Sequence, residues 1–241
     1  VKADKIIRDG LEALNPEKLI VSEESNNEAA PLGEYKDAWV IDSINGTSSF
    51  IKSKPDFGVL IAEIENHTPV GGVAYYPELN AVFHTEGDRS YKRSVNLDEN
   101  QGYSLGPKIP LNTRRFGANP KFAQFIADLG DRFPDAFEQV PFDFYEQPSN
   151  SFAVIEGKID IAVNPNTMGD WDLAAPDAIL RKAGGCYISA DTHRPLHYGK
   201  KREEQRAFLQ DTSIAGNYAT LIDAGFAHKD IMNHSSQSLN K

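Results

Sequence analysis

Cysteine is almost absent: Cys186 is the single one among 241 residues. That excludes an intrachain disulfide and a cysteine-based zinc site, and nothing then ties the chain to an oxidising compartment. Long apolar runs are missing too. Stretches such as Val59 to Ala62 are strand-sized, far short of the about 20 residues a membrane-spanning helix needs. Val1-Lys2-Ala3-Asp4 carries no signal-peptide pattern, so the expectation is a cytoplasmic protein with no membrane partner. Positive charge is in deficit, with 25 Lys and Arg against 35 Asp and Glu and a formal net charge of -10. A nucleic acid polymer is therefore not the expected partner. A small anionic substrate remains open, because bound cations invert the local field.

What is present is an ordinary globular composition, long enough for one large domain or two modest ones. Ile6, Ile7, Leu11 and Leu14 recur at helical spacing, and Asn15-Pro16 ends that run. Leu19 to Ser22 and Trp39 to Ile41 read as short buried strands. Phe57 to Ile64, Val70 to Tyr76, Ala81 to Thr85 and Arg89 to Arg93 follow, separated by turn signals. This pattern predicts an antiparallel meander. Polar residues, Gly and Pro dominate from Asn96 to Pro110, which predicts two halves, 1–105 (α+β) and 106–241 (α/β). In the second half, Asn119-Pro120 predicts a helix to about Leu129. Ile159 to Val163 predicts a strand and Leu173 to Ala183 a helix closed by Gly184-Gly185. Cys186 to Ser189 and Ser213 to Ala215 predict strands, and Tyr218 to Ala224 a helix.

The chemistry concentrates where apolar strands end in acids. Glu23 and Glu24 follow Leu19-Ile-Val21, and Asp42 follows Trp39-Val-Ile41. If the two strands are neighbours, their C-terminal ends bring these acids together. Asn45 and Gly46 form a tight turn, and Thr47-Ser48 opens a helix whose free N–H groups suit a phosphate. Asp172 sits at a helix start, where an acid is also a good cap. Taken singly, Asp172 fits a plain cap and Glu23-Glu24 a solvated loop. Together they fit a divalent cation held beside a phosphate.

In order and spacing these segments resemble the inositol monophosphatase superfamily, the lithium-sensitive Mg²⁺-dependent phosphatases. The matching segments are Asp4, Glu23-Glu24, Asp42-Ser43-Ile44-Asn45-Gly46-Thr47, Trp171-Asp172-Leu173-Ala174-Ala175 and Gly184-Gly185. Gly71-Gly-Val-Ala-Tyr-Tyr-Pro77 also looks like the family's strand and turn after the metal motif. The family places helices ahead of the first motif, and this sequence starts at that motif. The resemblance implies a layered αβαβα sugar-phosphatase-like fold. It implies two or three Mg²⁺ ions, with Glu23, Asp42 and the Ile44 carbonyl on the first, and Asp42, the Asn45 position and Asp172 on the second. Glu23 and Thr47 would orient the attacking water, with Asp42 also in the catalytic set. The N–H groups of Gly46 and Thr47 would receive the phosphate, and Asp4 and Glu24 would stand in an outer shell. A homodimer is one open assembly.

Two departures stand out. Asn45 occupies a position where the family has a ligating Asp, and Ser43 replaces the usual Pro. The substrate implied is a small phosphorylated metabolite. Pro165 stands where inositol-specific members carry a Glu, which counts against inositol. Pro195-Leu-His-Tyr198-Gly-Lys200, with Phe208-Leu209, looks more like the 3'(2'),5'-bisphosphate nucleotidase branch. Thr47-Ser-Ser-Phe-Ile51 is similar to that branch and to histidinol-phosphate phosphatases. Tyr198 and Lys200 fit either a surface turn or a nucleotide contact, and His193 and His197 read as loop residues. The expected activity is hydrolysis of a phosphomonoester such as 3'-phosphoadenosine 5'-phosphate, weakened by Asn45. Inositol or histidinol phosphatase activity, or an impaired ligand-binding or partner-binding member, is the alternative.

Overall fold

The computed structural model describes residues 2–24, 33–95, 102–105, 114–118, 137–139, 149–164, 167–200, 210 and 212–228. Among them, strands β1 (Ile20–Ser22), β2 (Ala38–Asn45), β3 (Gly58–Glu65), β4 (Thr68–Tyr76), β5 (Ala81–Glu86), β6 (Arg89–Ser94) and β7 (Gly102–Leu105) lie side by side in chain order. β1 runs parallel to β2, and every later neighbour is antiparallel, so the expected meander is present. A second sheet holds β8 (Arg114–Ala118), β9 (Phe137–Gln139), β10 (Ile161–Asn164), β11 (Gly185–Ser189) and β12 (Ser213–Asn217), in the order β11-β12-β10-β8-β9. It is mixed: β8 is parallel to β9 and β10, while β12 is antiparallel to β10 and β11. The helix expected from Asn119 to Leu129 lies outside the described residues.

The helices are α1 (Lys2–Leu14), α2 (Thr47–Ile51), α3 (Asn150–Ile155), α4 (Asp170–Lys182) and α5 (Tyr218–Asp223). Side-chain alternation on the strands stacks them into layers. Ile41 of β2 packs with Leu11 of α1 on one face of the first sheet. Leu60, Ala62, Ile64, Ala74 and Tyr76 face the other way, into a core shared with α3 and α4. Ala162, Tyr187 and Ala215 close that core from the second sheet. Their strand neighbours Ile161, Cys186, Ile188 and Ile214 point outward to Leu221 of α5. The order is helix, sheet, helices, sheet, helix.

Helix α4 lies between two sheets, so nearly its whole circumference is buried. Ala175 and Ala178 let it approach the first sheet so closely that a Cβ on Gly72 would lie 2.7 Å from the Ala175 carbonyl oxygen. Pro176 interrupts the helix ladder, since it has no N–H to give the carbonyl four residues earlier, that of Asp172. The helix thus brings its first turn, with Asp172, to the end of the sheet where β2 finishes.

Candidate active site

The strand β2 runs on to Asn45, four residues beyond the Ile41 end expected from its apolar run. It continues because Asp42 and Ser43 are buried despite being polar, and Asp42 and Asn45 keep pairing with β3. Asp42 faces Leu60 and Asn45 faces Gly58, three residues on one strand against two on the other. That surplus residue is a β-bulge. Three residues apart on a regular pleat, Asp42 and Asn45 would point to opposite faces; the bulge puts both on the face that α4 covers. Gly46, at a left-handed φ of 77°, then turns the chain into α2, a conformation glycine adopts without a Cβ penalty. A Cβ there would also sit 2.7 Å from the Asp56 carbonyl oxygen.

The parallel pairing of β1 with β2 delivers Glu23 beside Asp42, with the Glu23 N–H donating to the Ile41 carbonyl at 3.3 Å. Asp172 arrives from α4. Its Oδ2 accepts the Gly169 N–H at 2.7 Å, so one oxygen does cap the helix. Its other oxygen accepts the Asn45 amide at 3.3 Å, and the same amide nitrogen donates to Asp42 Oδ2 at 3.1 Å. Asn45 therefore bridges the two aspartates. Asp42 Oδ1 takes the Ile44 N–H at 3.0 Å, and the Ile44 carbonyl takes the Thr47 hydroxyl at 3.0 Å. Thr47 itself is exposed.

Negative charge is crowded here. Burial, then the carboxylates of Asp172 and Glu23, push Asp42 up to about 8. Burial raises Asp172 to about 7, with Glu23 adding to the rise and the Gly169 N–H opposing it. Glu23 is raised by burial and by Glu24, and lowered by its hydrogen bond with Asp42. Two of the three acids thus titrate near neutrality, the signature of a site that is short of positive charge.

The sequence profile of the inositol monophosphatase family matches residues 1–236. The chain belongs to the inositol monophosphatase family. By class it is a phosphoric monoester hydrolase, as the family and its named relatives are. Among those relatives, the 3'(2'),5'-bisphosphate nucleotidase CysQ of Escherichia coli K12 is 24% identical over 200 residues, 82% of this chain and 77% of the relative. A histidinol-phosphatase of Mycobacterium tuberculosis is 29% identical over 162 residues, 67% of this chain and 62% of the relative. The crystal structure of CysQ from Bacteroides thetaiotaomicron covers 87% of this chain and 81% of its own, at 25% identity and a TM-score of 0.65.

In this inositol monophosphatase family member the donor set that the fold brings together is all oxygen: the carboxylates of Glu23, Asp42 and Asp172 and the carbonyl of Ile44. That chemistry fits a hard divalent cation, and the raised carboxylates give such a cation charge to neutralise. The fit is an open one. Among the described residues no three acids, histidines or cysteines close around a single point. Glu23 pairs with Asp42, and Asp42 meets Asp172 only through the neutral amide of Asn45.

Asp4 lies further back. Its oxygens accept the Ser22 hydroxyl at 2.5 Å and Arg8 Nε at 2.9 Å, and Ser22 in turn accepts the Glu24 N–H at 3.1 Å. The chain Asp4–Ser22–Glu24 ties α1 to the turn that carries Glu23. One expectation is corrected outright: Tyr198 is neither a surface turn nor free to touch a nucleotide. It is fully buried, and its hydroxyl donates to Asp177 at 3.0 Å. Lys200 and His197 are exposed and His193 is partly so. Pro165, Phe208 and Leu209 lie outside the described residues.

Two acids that sequence reasoning left without a role prove to be hubs. Asp177 accepts the Tyr187 N–H and pairs with Arg181. Asp170 accepts the Tyr35 hydroxyl at 2.5 Å, the Gly199 N–H at 2.7 Å and the Gln210 amide at 2.6 Å. It knits three separate segments to the turn that bears Asp172. The sequence signal available was an acid repeated inside an otherwise apolar helix, since buried acids need partners.

Proposed function

We propose that this chain is a Mg²⁺-dependent phosphomonoesterase acting on a small phosphorylated metabolite, with a 3'(2'),5'-bisphosphate nucleotide as the preferred substrate. The observation that carries the reading is the convergence of Glu23, Asp42 and Asp172, with the Ile44 carbonyl, at the opening of α2. On this reading Glu23, Asp42 and Ile44 hold the first cation, and Asp42 and Asp172 a second, weaker one at Asn45. Bound there, Mg²⁺ supplies charge neutralisation for the phosphoryl group and a lowered pKa for the attacking water. The chain's own groups do the positioning. The Thr47 hydroxyl gives its proton to Ile44, so its lone pairs, with a Glu23 oxygen, accept the two protons of a water and leave that water's lone pair facing the substrate. The Gly46 and Thr47 N–H groups, at a helix start, receive phosphate oxygens.

The nucleotide preference is supported by the CysQ relatives, and the histidinol-phosphatase similarity keeps a monophosphate in the test. A second reading is favoured by the Asn45 amide, whose donation to both aspartates suits a ligand-binding member with little turnover. Phosphate release from 3'-phosphoadenosine 5'-phosphate, 2'-AMP, histidinol phosphate and inositol 1-phosphate, with Mg²⁺ and with a chelator, separates the readings. Release confined to Mg²⁺ and greatest for the bisphosphate is expected, as is inhibition by Li⁺. No release from any of them, alongside measurable binding, would establish the second reading.

A further inference from the structure

The cross-strand row that begins with Asn45 continues through Gly58 on β3 to Tyr76 on β4. Asn45 pairs with Gly58, and the register Leu60 to Ala74 and Val59 to Tyr75 continues to set Tyr76 opposite Gly58. Gly58 has no side chain, and the Tyr76 ring fills the space it leaves. A Cβ on Gly58 would lie 2.6 Å from Tyr76 Cδ1 and 2.7 Å from Cε1. The ring therefore leans from β4 across β3 toward β2, on the face that carries Asp42 and Asp172. Its inner side is fixed by edge contacts with Phe152 at 5.3 Å and Phe83 at 6.4 Å between centroids.

The hydroxyl at the tip of this ring is fully buried and has no hydrogen-bond partner among the described residues. A phenol has no packing reason to occupy such a place, because phenylalanine would fill the same volume without a stranded donor. Burial first, then the phenol of Tyr187 and the carboxylates of Asp42, Asp172 and Asp56, push this phenol above its ordinary range.

We infer that Tyr76 is a positioning residue, its hydroxyl held in reserve beneath the Asp42 and Asp172 carboxylate pair and donating to that pair once a cation is bound, so that it fixes their orientation toward the cation. The inference rests on the reading of this site as a Mg²⁺ centre. It also gives Gly58 a purpose, since any larger residue there would block the ring. Donors behind ligating carboxylates typically set metal affinity, and their loss costs about 10–100-fold.

The test is Tyr76→Phe, which keeps the ring and removes only the hydroxyl, with Tyr187→Phe as the control for the other phenol in the field. Mg²⁺ binding is measured by calorimetry, and the Tm of the metal-free protein is measured alongside. The expected result is Mg²⁺ affinity weakened about tenfold or more by Tyr76→Phe, an unchanged or higher metal-free Tm, and little effect from Tyr187→Phe. Equal Mg²⁺ affinity in Tyr76→Phe and the unaltered chain would overturn the role of Tyr76 while leaving the Mg²⁺ reading intact. No Mg²⁺ binding by the unaltered chain would overturn both. A Tm that rises with no change in affinity would mark the hydroxyl as a stranded donor and nothing more.

Discussion

Asn45 on the first sheet meets Asp172 on helix α4 at 3.3 Å, an amide donated to a carboxylate oxygen across 127 residues of sequence. The contact occupies the one oxygen of Asp172 that does not cap its helix. Since the same nitrogen also reaches Asp42, a neutral donor bridges the two acids that would share the proposed second cation. The amide N–H offers partial positive charge but cannot cancel two negative ones, and both aspartates remain raised toward neutrality.

Replacing that amide has opposite consequences with and without metal. Asn45→Asp adds a further negative group to a site that is already short of positive charge, so the metal-free Tm should fall. With Mg²⁺ the variant gains a charged ligand, and phosphate release should rise by about 10²–10³, the scale of one well-placed electrostatic stabiliser. Melting curves in chelator and in Mg²⁺, with initial rates on 3'-phosphoadenosine 5'-phosphate, measure both. Unchanged rates would show that Asn45 already serves as well as an acid.

The pH dependence of stability follows from the raised carboxylates. In the unfolded chain an aspartate releases its proton near about 3.9, whereas folded Asp172 and Asp42 keep theirs to about 7 and about 8. Between those values the folded state binds more protons, so stability is fully present below the lower limit and is lost as pH rises through the upper ones. The metal-free Tm should therefore decline from about pH 5 to about pH 9, and Asp42→Asn should flatten the slope. A Tm that climbs over that interval would contradict the crowding described here.

The contact between Gly72 and helix α4 has no slack. Gly72→Ala places a methyl against the Ala175 backbone and should cost about 1–3 kcal/mol, the usual price of overpacking. Because α4 carries Asp172, activity should fall further than stability alone explains. Gly10→Ala is the contrast: it sits in exposed α1 with open space around it, and should gain about 0.5–1 kcal/mol. Urea denaturation of the pair measures the difference.

Asp177 is buried with three partners: the Tyr198 hydroxyl, the Tyr187 N–H and Arg181. Asp177→Ala strands all three and should cost about 3–5 kcal/mol, as for a broken buried pair. Urea denaturation again reads the loss. A cost below about 1 kcal/mol would mean that water reaches Arg181 freely.

The individual strands and helices were legible because alternation and helical spacing depend on near neighbours, whereas the layer order came from the family resemblance. The meander from Gly58 to Ser94 and helix α4 emerged from those signals within a residue or three. The bulge in β2 was not legible, since Asp42, Ser43 and Asn45 look like the end of a strand and nothing local reveals that the first two are buried. Tyr198 misled for the mirror reason: between exposed His197 and Lys200, a single inward side chain leaves no periodic trace. Asp42 and Asp172 stood out from motif spacing, but the contact between them needs the fold, and so does the row from Asn45 to Tyr76.

The surplus residue in β2 has a further consequence. A regular strand spends every peptide N–H and C=O on its neighbours, whereas a bulge leaves one residue's pair to spare. Here the spare donor, the Ile44 N–H, goes to Asp42, and the spare acceptor, the Ile44 carbonyl, goes to Thr47. Deleting Ile44 would leave Asp42 and Asn45 two apart on an even pleat, still facing the same way. The acids would keep their places, and only the main chain's share in the site would vanish.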